Sequence, residues 1–317
     1  MSGDRRRLAV VWALMLAWPL ISPNDYVLSL GVAFLINLLL VASLNLAMGY
    51  TGLISLCHGA FFGLGAYISG VLSAKYGVSP WFGIVAGTLG TAAAATLIAV
   101  PTLRLRGHYL AMGTLGFNAI LGVLFVELVP LTGGPNGLIG IEPFTIAGLS
   151  LDTPGRFFVF AWVICFVVMF VLLNLVTGPI GRNLRAIAGS EIVADTLGVD
   201  TVRLKIMLFS FSAAIAGLAG AFYAHFNLFA SPETFGIFSS VLLVVMVALG
   251  GPGTYWGPFF GALIFTAVPE LLRSLQDAEL LIFGVCMVVV LLYFPGGVAR
   301  SIGRRARGRR EARDGTA

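Results

Sequence analysis

Charged residues punctuate this chain at long intervals, and the gaps between them read as membrane spans. A charge at mid-bilayer costs roughly 2.5–3.5 kcal/mol on the insertion scale, and about 20 apolar residues make one crossing. Stretches free of Asp, Glu, Lys and Arg cover 8–24, 26–74, 76–103, 107–126, 157–181, 206–232, 234–269 and 280–299. Most hold one span. The stretch 26–74 is long enough for two, with a break near Gly49-Tyr50-Thr51-Gly52. The stretch 234–269 is too long for one straight helix, and Gly250-Gly251-Pro252-Gly253 divides it into two short segments. The runs are continuous rather than alternating, which predicts helices and not a barrel. The expected fold is all-α, a polytopic helical membrane protein with about ten transmembrane segments.

Composition agrees. The chain is 58 % hydrophobic and 10 % charged, with a mean hydropathy of +0.98, whereas soluble domains carry roughly 25 % charged residues. Charge then sets orientation. With ten spans both termini face one side, and that side collects Arg5–Arg7, Arg104, Arg106, Arg182, Arg185, Arg203, Lys205 and seven arginines from Arg300 onward, 16 of 19 basic residues. Lys75, Arg156 and Arg273 face the other way. The basic side is cytoplasmic, so both termini are expected in the cytoplasm. Residues 1–299 read as one transmembrane domain and 300–317 as a basic cytoplasmic tail without fixed structure, suited to anionic lipid. The net charge of +5 arises from these membrane-edge arginines and is no nucleic-acid signature. The first segment has a basic start and short apolar core but lacks a small-residue cleavage site, so it is read as a retained span. Cys57, Cys165 and Cys286 lie in apolar runs with no metal or disulfide spacing.

Pairs of small residues four apart, Gly59/Gly63, Gly83/Gly87, Ala216/Gly220 and Gly257/Gly261, predict close helix contacts. Gly59-Ala-Phe-Phe-Gly63 and Gly257-Pro-Phe-Phe-Gly261 echo each other after glycine-rich breaks, a pattern that suits broken helices in two repeats. The outer loop 131–156 is rich in Gly and Pro and too short for a domain.

The longest polar insertion is 178–205, with seven charged residues. Ser190 can cap a helix, Glu191 sits where the helix dipole favours a carboxylate, and Gly198 suits the C-terminal position. Ile192, Val193, Thr196 and Leu197 form one apolar face. Two turns are marginal alone in water. By this grammar the segment is either a solvated linker or a helix that docks on something.

Catalytic chemistry is sparse. His58, His108 and His225 are scattered, Ser55 and His58 have no acidic neighbour in sequence, and no mid-span carboxylates mark a proton relay. Neither lysine, Lys75 or Lys205, sits in a phosphate-binding G-x-x-x-x-G-K-[ST] loop. Uphill transport would need work from another subunit, and the chain itself is not expected to be an enzyme. Asn45, Ser55, His58, Thr114 and Asn118 are polar groups in apolar spans. They either line a translocation path or hydrogen-bond between helices.

Six stretches in order carry a resemblance: Leu44–Tyr67, Leu103–Phe117, Thr132–Leu138, Gly181–Ile187, Glu191–Val199 and Ala248–Pro258. Over about 26–298 the chain resembles the permease subunits of branched-chain amino acid ABC importers, on the side of the M-type subunit. The resemblance implies a translocation path shared with a homologous second permease. It implies two cytoplasmic ATPase subunits that bind ATP and Mg, none being held by this chain, and a periplasmic solute-binding protein, all at a bacterial inner membrane. It also implies that 181–199 couples to the ATPases, through Arg182, Arg185, Ser190, Glu191, Ala194 and Gly198. Ala194 and Gly198 keep the A-xxx-G spacing of the EAA loop of ABC importers, and Glu191 stands one residue early. Urea or short-chain amides are the alternative cargo. A passive channel or a multi-pass enzyme are the rivals of other classes.

Overall fold

The computed structural model describes residues 8–301, except 9, 14, 17, 22–23, 104, 106, 147–148, and 273–295 apart from Gly284, Val288 and Leu292. Arg5–Arg7, Arg104, Arg106, Arg273, Cys286, the tail beyond Ser301 and most of the expected span 280–299 lie outside the described residues. Among the described residues, besides the single turns Trp18–Ile21 and Val129–Thr132, ten helices organise the chain: α1 Asp25–Leu44, α2 His58–Tyr76, α3 Pro80–Thr102, α4 His108–Glu127, α5 Pro154–Thr177, α6 Pro179–Gly189, α7 Glu191–Thr196, α8 Thr201–Asn227, α9 Ile237–Gly250 and α10 Gly257–Leu272.

The helix ends follow local chemistry. Pro80, Pro154 and Pro179 start their helices, where a missing N–H costs nothing. Gly77, at φ +59°, closes α2 in the left-handed conformation. Among the described residues, five helices are long and apolar enough to cross a membrane: α1 with its continuation to Gly49, α3, α4, α5 and α8. α2 has 19 residues, is less apolar, and is mostly buried. A helix surrounded by protein rather than lipid needs small and polar residues to pack and pair. The break after Gly49 and the division of 234–269 at Gly250–Gly253 both appear as expected, giving α1/α2 and α9/α10. α9 and α10 have 14 and 16 residues.

The centre is a three-helix unit of α2, α3 and α8, with α1 against α5, α8 and α10. Glycines set its spacing. A methyl group on Gly65 would stand 2.5 Å from the Gly217 carbonyl carbon, one on Gly217 2.5 Å from Thr91 Oγ1, and one on Gly87 2.9 Å from the Gly65 oxygen. The small-residue pairs read from the sequence likewise face neighbours: Gly59 meets Ser240, Gly63 meets Phe125 and Phe235, Gly83 meets Ser69, and Gly220 meets the Phe62 backbone.

One end of the bundle is fastened by the outer loop. Leu138–Ile139 (β1) pairs antiparallel with Phe229–Ala230 (β4), Leu138 opposite Ala230, and Thr145–Ile146 (β2) pairs with Leu149–Ser150 (β3). Trp81 Nε1 donates to the Thr145 carbonyl at 2.8 Å. Buried His225 donates from Nδ1 to the Glu142 carbonyl at 2.6 Å, which leaves Nε2 to accept from Ser69 at 2.8 Å. Tyr26 at the start of α1 donates to Glu270 near the end of α10 at 2.5 Å. These links gather the N-terminal ends of α1 and α3 with the C-terminal ends of α8 and α10 and the C-terminal half of α2, an up-and-down alternation.

Candidate functional site: the coupling segment and the broken helices

The polar insertion folds into two short helices beyond the opposite end of the bundle. α5 stops at Thr177, and Gly178 turns the chain into α6. In α6, Gly181, Leu184 and Ile187 are buried, while Arg182 and Arg185 are exposed on the other side. Arg185 reaches back to the Val176 carbonyl at 3.3 Å, where a cation meets the negative end of the α5 dipole. Ser190 caps α7, its hydroxyl accepting from Val193 N at 3.4 Å. Gly198 ends α7 at φ +82° with its N–H on the Asp195 carbonyl, and Val199 N returns to Ala194.

The exposure of α7 is lopsided. Ala194 is fully buried, whereas Ile192, Val193 and Leu197 are 68 %, 55 % and 74 % exposed. Two side-chain links hold the helix. Glu191 pairs with Lys205 at 2.6 Å, and Asp195 accepts from the Thr201 hydroxyl at 2.6 Å. Lys205 is only 6 % exposed. Sequence reasoning noted its charge but not its role, and the sole available signal was a lysine beside an apolar run.

The five residues considered for a path are all buried, and each hydrogen-bonds within the chain. Four surround the break at residues 52–57. Thr114 Oγ1 accepts from Leu56 N at 3.0 Å, and Asn118 Nδ2 donates to the Leu56 carbonyl and to Ser240 Oγ, both at 2.6 Å. Ser212 donates to the Phe209 carbonyl, so it accepts from His58 Nε2 at 3.2 Å, leaving His58 Nδ1 to accept from Ser55 at 3.1 Å. Asn45 serves the second break. Its amide donates to the Thr254 carbonyl at 3.0 Å and its oxygen accepts from Gly253 N at 2.9 Å. The two breaks also touch, since a Cβ on Gly253 would stand 2.6 Å from the Gly49 oxygen. Non-helical backbone inside a bundle must find partners, and these side chains supply them. Ser212 and Ser240 belong to this cluster and were missed, although polar residues at buried helical positions are the same signal that picked out Asn118. Asn118 Oδ1 is buried without a partner among the described residues.

A cavity of about 300 Å³ lies apart from this cluster, lined by Asn37, Phe62, Tyr223, Asn227, Ser239 and Met246 among others. None of the five path candidates lines it. Among the described residues there is no group of His, Cys, Asp or Glu able to hold a metal ion.

A family model described as Branched-chain amino acid transport system / permease component matches residues 26–291, from the start of α1 past the end of α10. This chain belongs to that family. The permease is 32 % identical over 314 residues to the High-affinity branched-chain amino acid transport system permease protein LivM of Escherichia coli (strain K12), covering 92 % of this chain and 74 % of that one. It is 26 % identical over 321 residues to the Probable branched-chain amino acid transport permease protein LivM of Methanocaldococcus jannaschii, covering 84 % and 90 %. It is also similar to the permease protein LivH of the same system in Escherichia coli (strain K12), 25 % identical over 281 residues, covering 80 % and 89 %. No solved structure matches. The matched region of the permease contains both helix breaks and the α6–α7 insertion.

Proposed function

We propose that this permease is the membrane-spanning subunit of an ATP-driven importer of branched-chain amino acids in a bacterial inner membrane, crossing it ten times with both termini in the cytoplasm. Its path is shared with a second, homologous permease, a pairing supported by its similarity to both LivM and LivH. A periplasmic binding protein delivers the solute. Two cytoplasmic ATPases bind ATP and Mg and do the work, because this sequence offers no phosphate-binding loop.

The observation that carries the reading is the face of α7. Ile192 and Val193 on this six-residue helix and Leu197 at its C-cap are exposed, while Ala194 is buried. Such a surface is stable when a partner covers it. The positive-inside count puts it in the cytoplasm, where the ATPases are. In the mechanism, closure of the ATPases on ATP moves α7, the spans joined to it tilt, and the path opens toward the periplasm; hydrolysis resets it. Arg182 lies exposed on the preceding helix α6, and Ala194 and Gly198 fix α7 from below and at its end.

The test is to replace Val193 by Glu in the assembled transporter. The permease should still insert in the membrane, while co-purification of the ATPases and solute uptake are lost. Parental uptake in that variant would remove the coupling role from α7.

A further inference from the structure

Lys205 is a buried cation at the base of the central helix α8, and its carboxylate partner lies on the coupling helix. α7 packs mainly on α6, and α6 on α5. α7 runs into α8 through the short turn 197–200, and since their backbones otherwise meet only slightly, the angle between them is held by the Glu191–Lys205 pair and the Asp195–Thr201 hydrogen bond. The two links leave the same helix one turn apart and land one turn apart on α8. They fix both the position and the rotation of α7 against that helix.

What lies at the far side of each route differs. α5 packs chiefly on α1, and it meets α8 through the side chains of Phe157 and Phe160 on Phe222 and Phe226 near the other end of the bundle. α8 is wedged between α2 and α3 through Gly65, Gly217 and Gly220, with backbone against backbone on the α2 side and Gly217 against Thr91 and the Gly87 carbonyl on the α3 side. α8 also carries Ser212 to His58, next to the first helix break. Motion delivered to α8 therefore passes to α2 and α3 through close backbone contacts and to the first helix break through Ser212 and His58.

We propose that Glu191 and Lys205, assisted by Asp195 and Thr201, are positioning residues that clamp the coupling helix to α8 and make α8 the member through which the ATPase stroke enters the membrane domain. This rests on α7 being the ATPase contact. Glu191 then acts inside the chain, on Lys205, rather than on the ATPase surface. Burying the Lys205 end of this pair is a costly device for mere stability, because desolvation offsets much of its attraction.

The experiment uses the complete transporter in proteoliposomes and reads uptake and ATP hydrolysis together. In Lys205→Met the ATPases should stay bound and hydrolysis stay near the parental rate, while uptake per ATP falls about tenfold, within the range of coupling free energies between sites. Thr201→Val should lower the same ratio by about threefold, for one lost hydrogen bond to the exposed Asp195 carboxylate. The exchange Glu191→Lys with Lys205→Glu should restore most of the ratio lost in Lys205→Met, the signature of a direct pair. Should Lys205→Met not reach the membrane, Thr201→Val and the exchange carry the result. An unchanged ratio in Thr201→Val together with an unrecovered ratio in the exchange overturns the proposal. So does a loss of hydrolysis in step with uptake, which marks a structural role only. Failure of the underlying contact reading is distinct: Val193→Glu would then leave the ATPases bound.

Discussion

Adding one methyl group at Gly65 should unseat the centre of this permease. Gly65 lies on α2 against Gly217 of α8, and an alanine Cβ would stand 2.5 Å from the Gly217 carbonyl carbon. Ordinary carbon contacts are about 3.5–4.0 Å, so the helices must move apart by roughly 1 Å. The obstructing atoms are backbone, not the end of a flexible side chain. Displacing α8 would strain its contact with α3 as well, because Gly217 also meets Thr91 and Gly87 meets Gly65. Overpacking of this kind costs about 1–3 kcal/mol in soluble cores, and the lack of give puts Gly65→Ala at the upper end. The gain in helix propensity from Gly to Ala, about 0.5–1 kcal/mol, offsets only a fraction of that. Gly122 of α4 supplies the control, since a Cβ there meets nothing within 4 Å. Thermal denaturation of the purified permease in one detergent, followed by intrinsic fluorescence, should show Gly65→Ala melting about 5 °C or more below the parent. Gly122→Ala should melt at or slightly above it. A Gly65→Ala protein as stable as the parent would refute the claim that backbone contact spaces α2 and α8.

Three other outcomes are expected. Asn45→Leu leaves Gly253 N and the Thr254 carbonyl without their partner, a loss of about 2 kcal/mol for two partly buried groups, read by the same melting assay. Ser190→Ala removes the cap of α7, worth about 1 kcal/mol; hydrogen exchange over 191–197 should quicken about fivefold with the melting temperature unchanged. Ser212→Ala takes one hydrogen bond from His58, and such bonds average about 0.6 kcal/mol in bilayers. Uptake should therefore stay near parental, and its collapse with unchanged melting would assign the His58 cluster to the path instead of to a brace.

What could be read from the sequence was whatever depends on neighbours along the chain. Gly49–Gly52 and Gly250–Gly253 announced their breaks because glycine and proline act locally. Ser190 and Gly198 announced the ends of α7 for the same reason. The Glu191–Lys205 pair could not be seen, because 14 residues and a change of helix separate the partners. Nor could the pairing of β1 with β4, whose residues are about ninety positions apart. The polar residues in apolar spans were visible as a group. Whether Asn118 serves a passing solute or the Leu56 carbonyl depends on a distance, and distance between helices is absent from a linear string. α2 was visible only through its breaks, because a helix enclosed by protein need not be greasy.

The last turn of the first long helix winds differently from the rest. Residues Asn45–Gly49 form a π turn, which holds one more residue per loop than an α turn does. An α-helix advances about 100° per residue, so that surplus residue swings everything after it around the axis. The swing is what lets Asn45 reach one glycine-rich gap while the residues just beyond lead into the other. A one-residue deletion between Asn45 and Gly49 would therefore do more than shorten the helix. It would straighten the coil, turn the asparagine aside, and pull away from each other the gaps that now lean together.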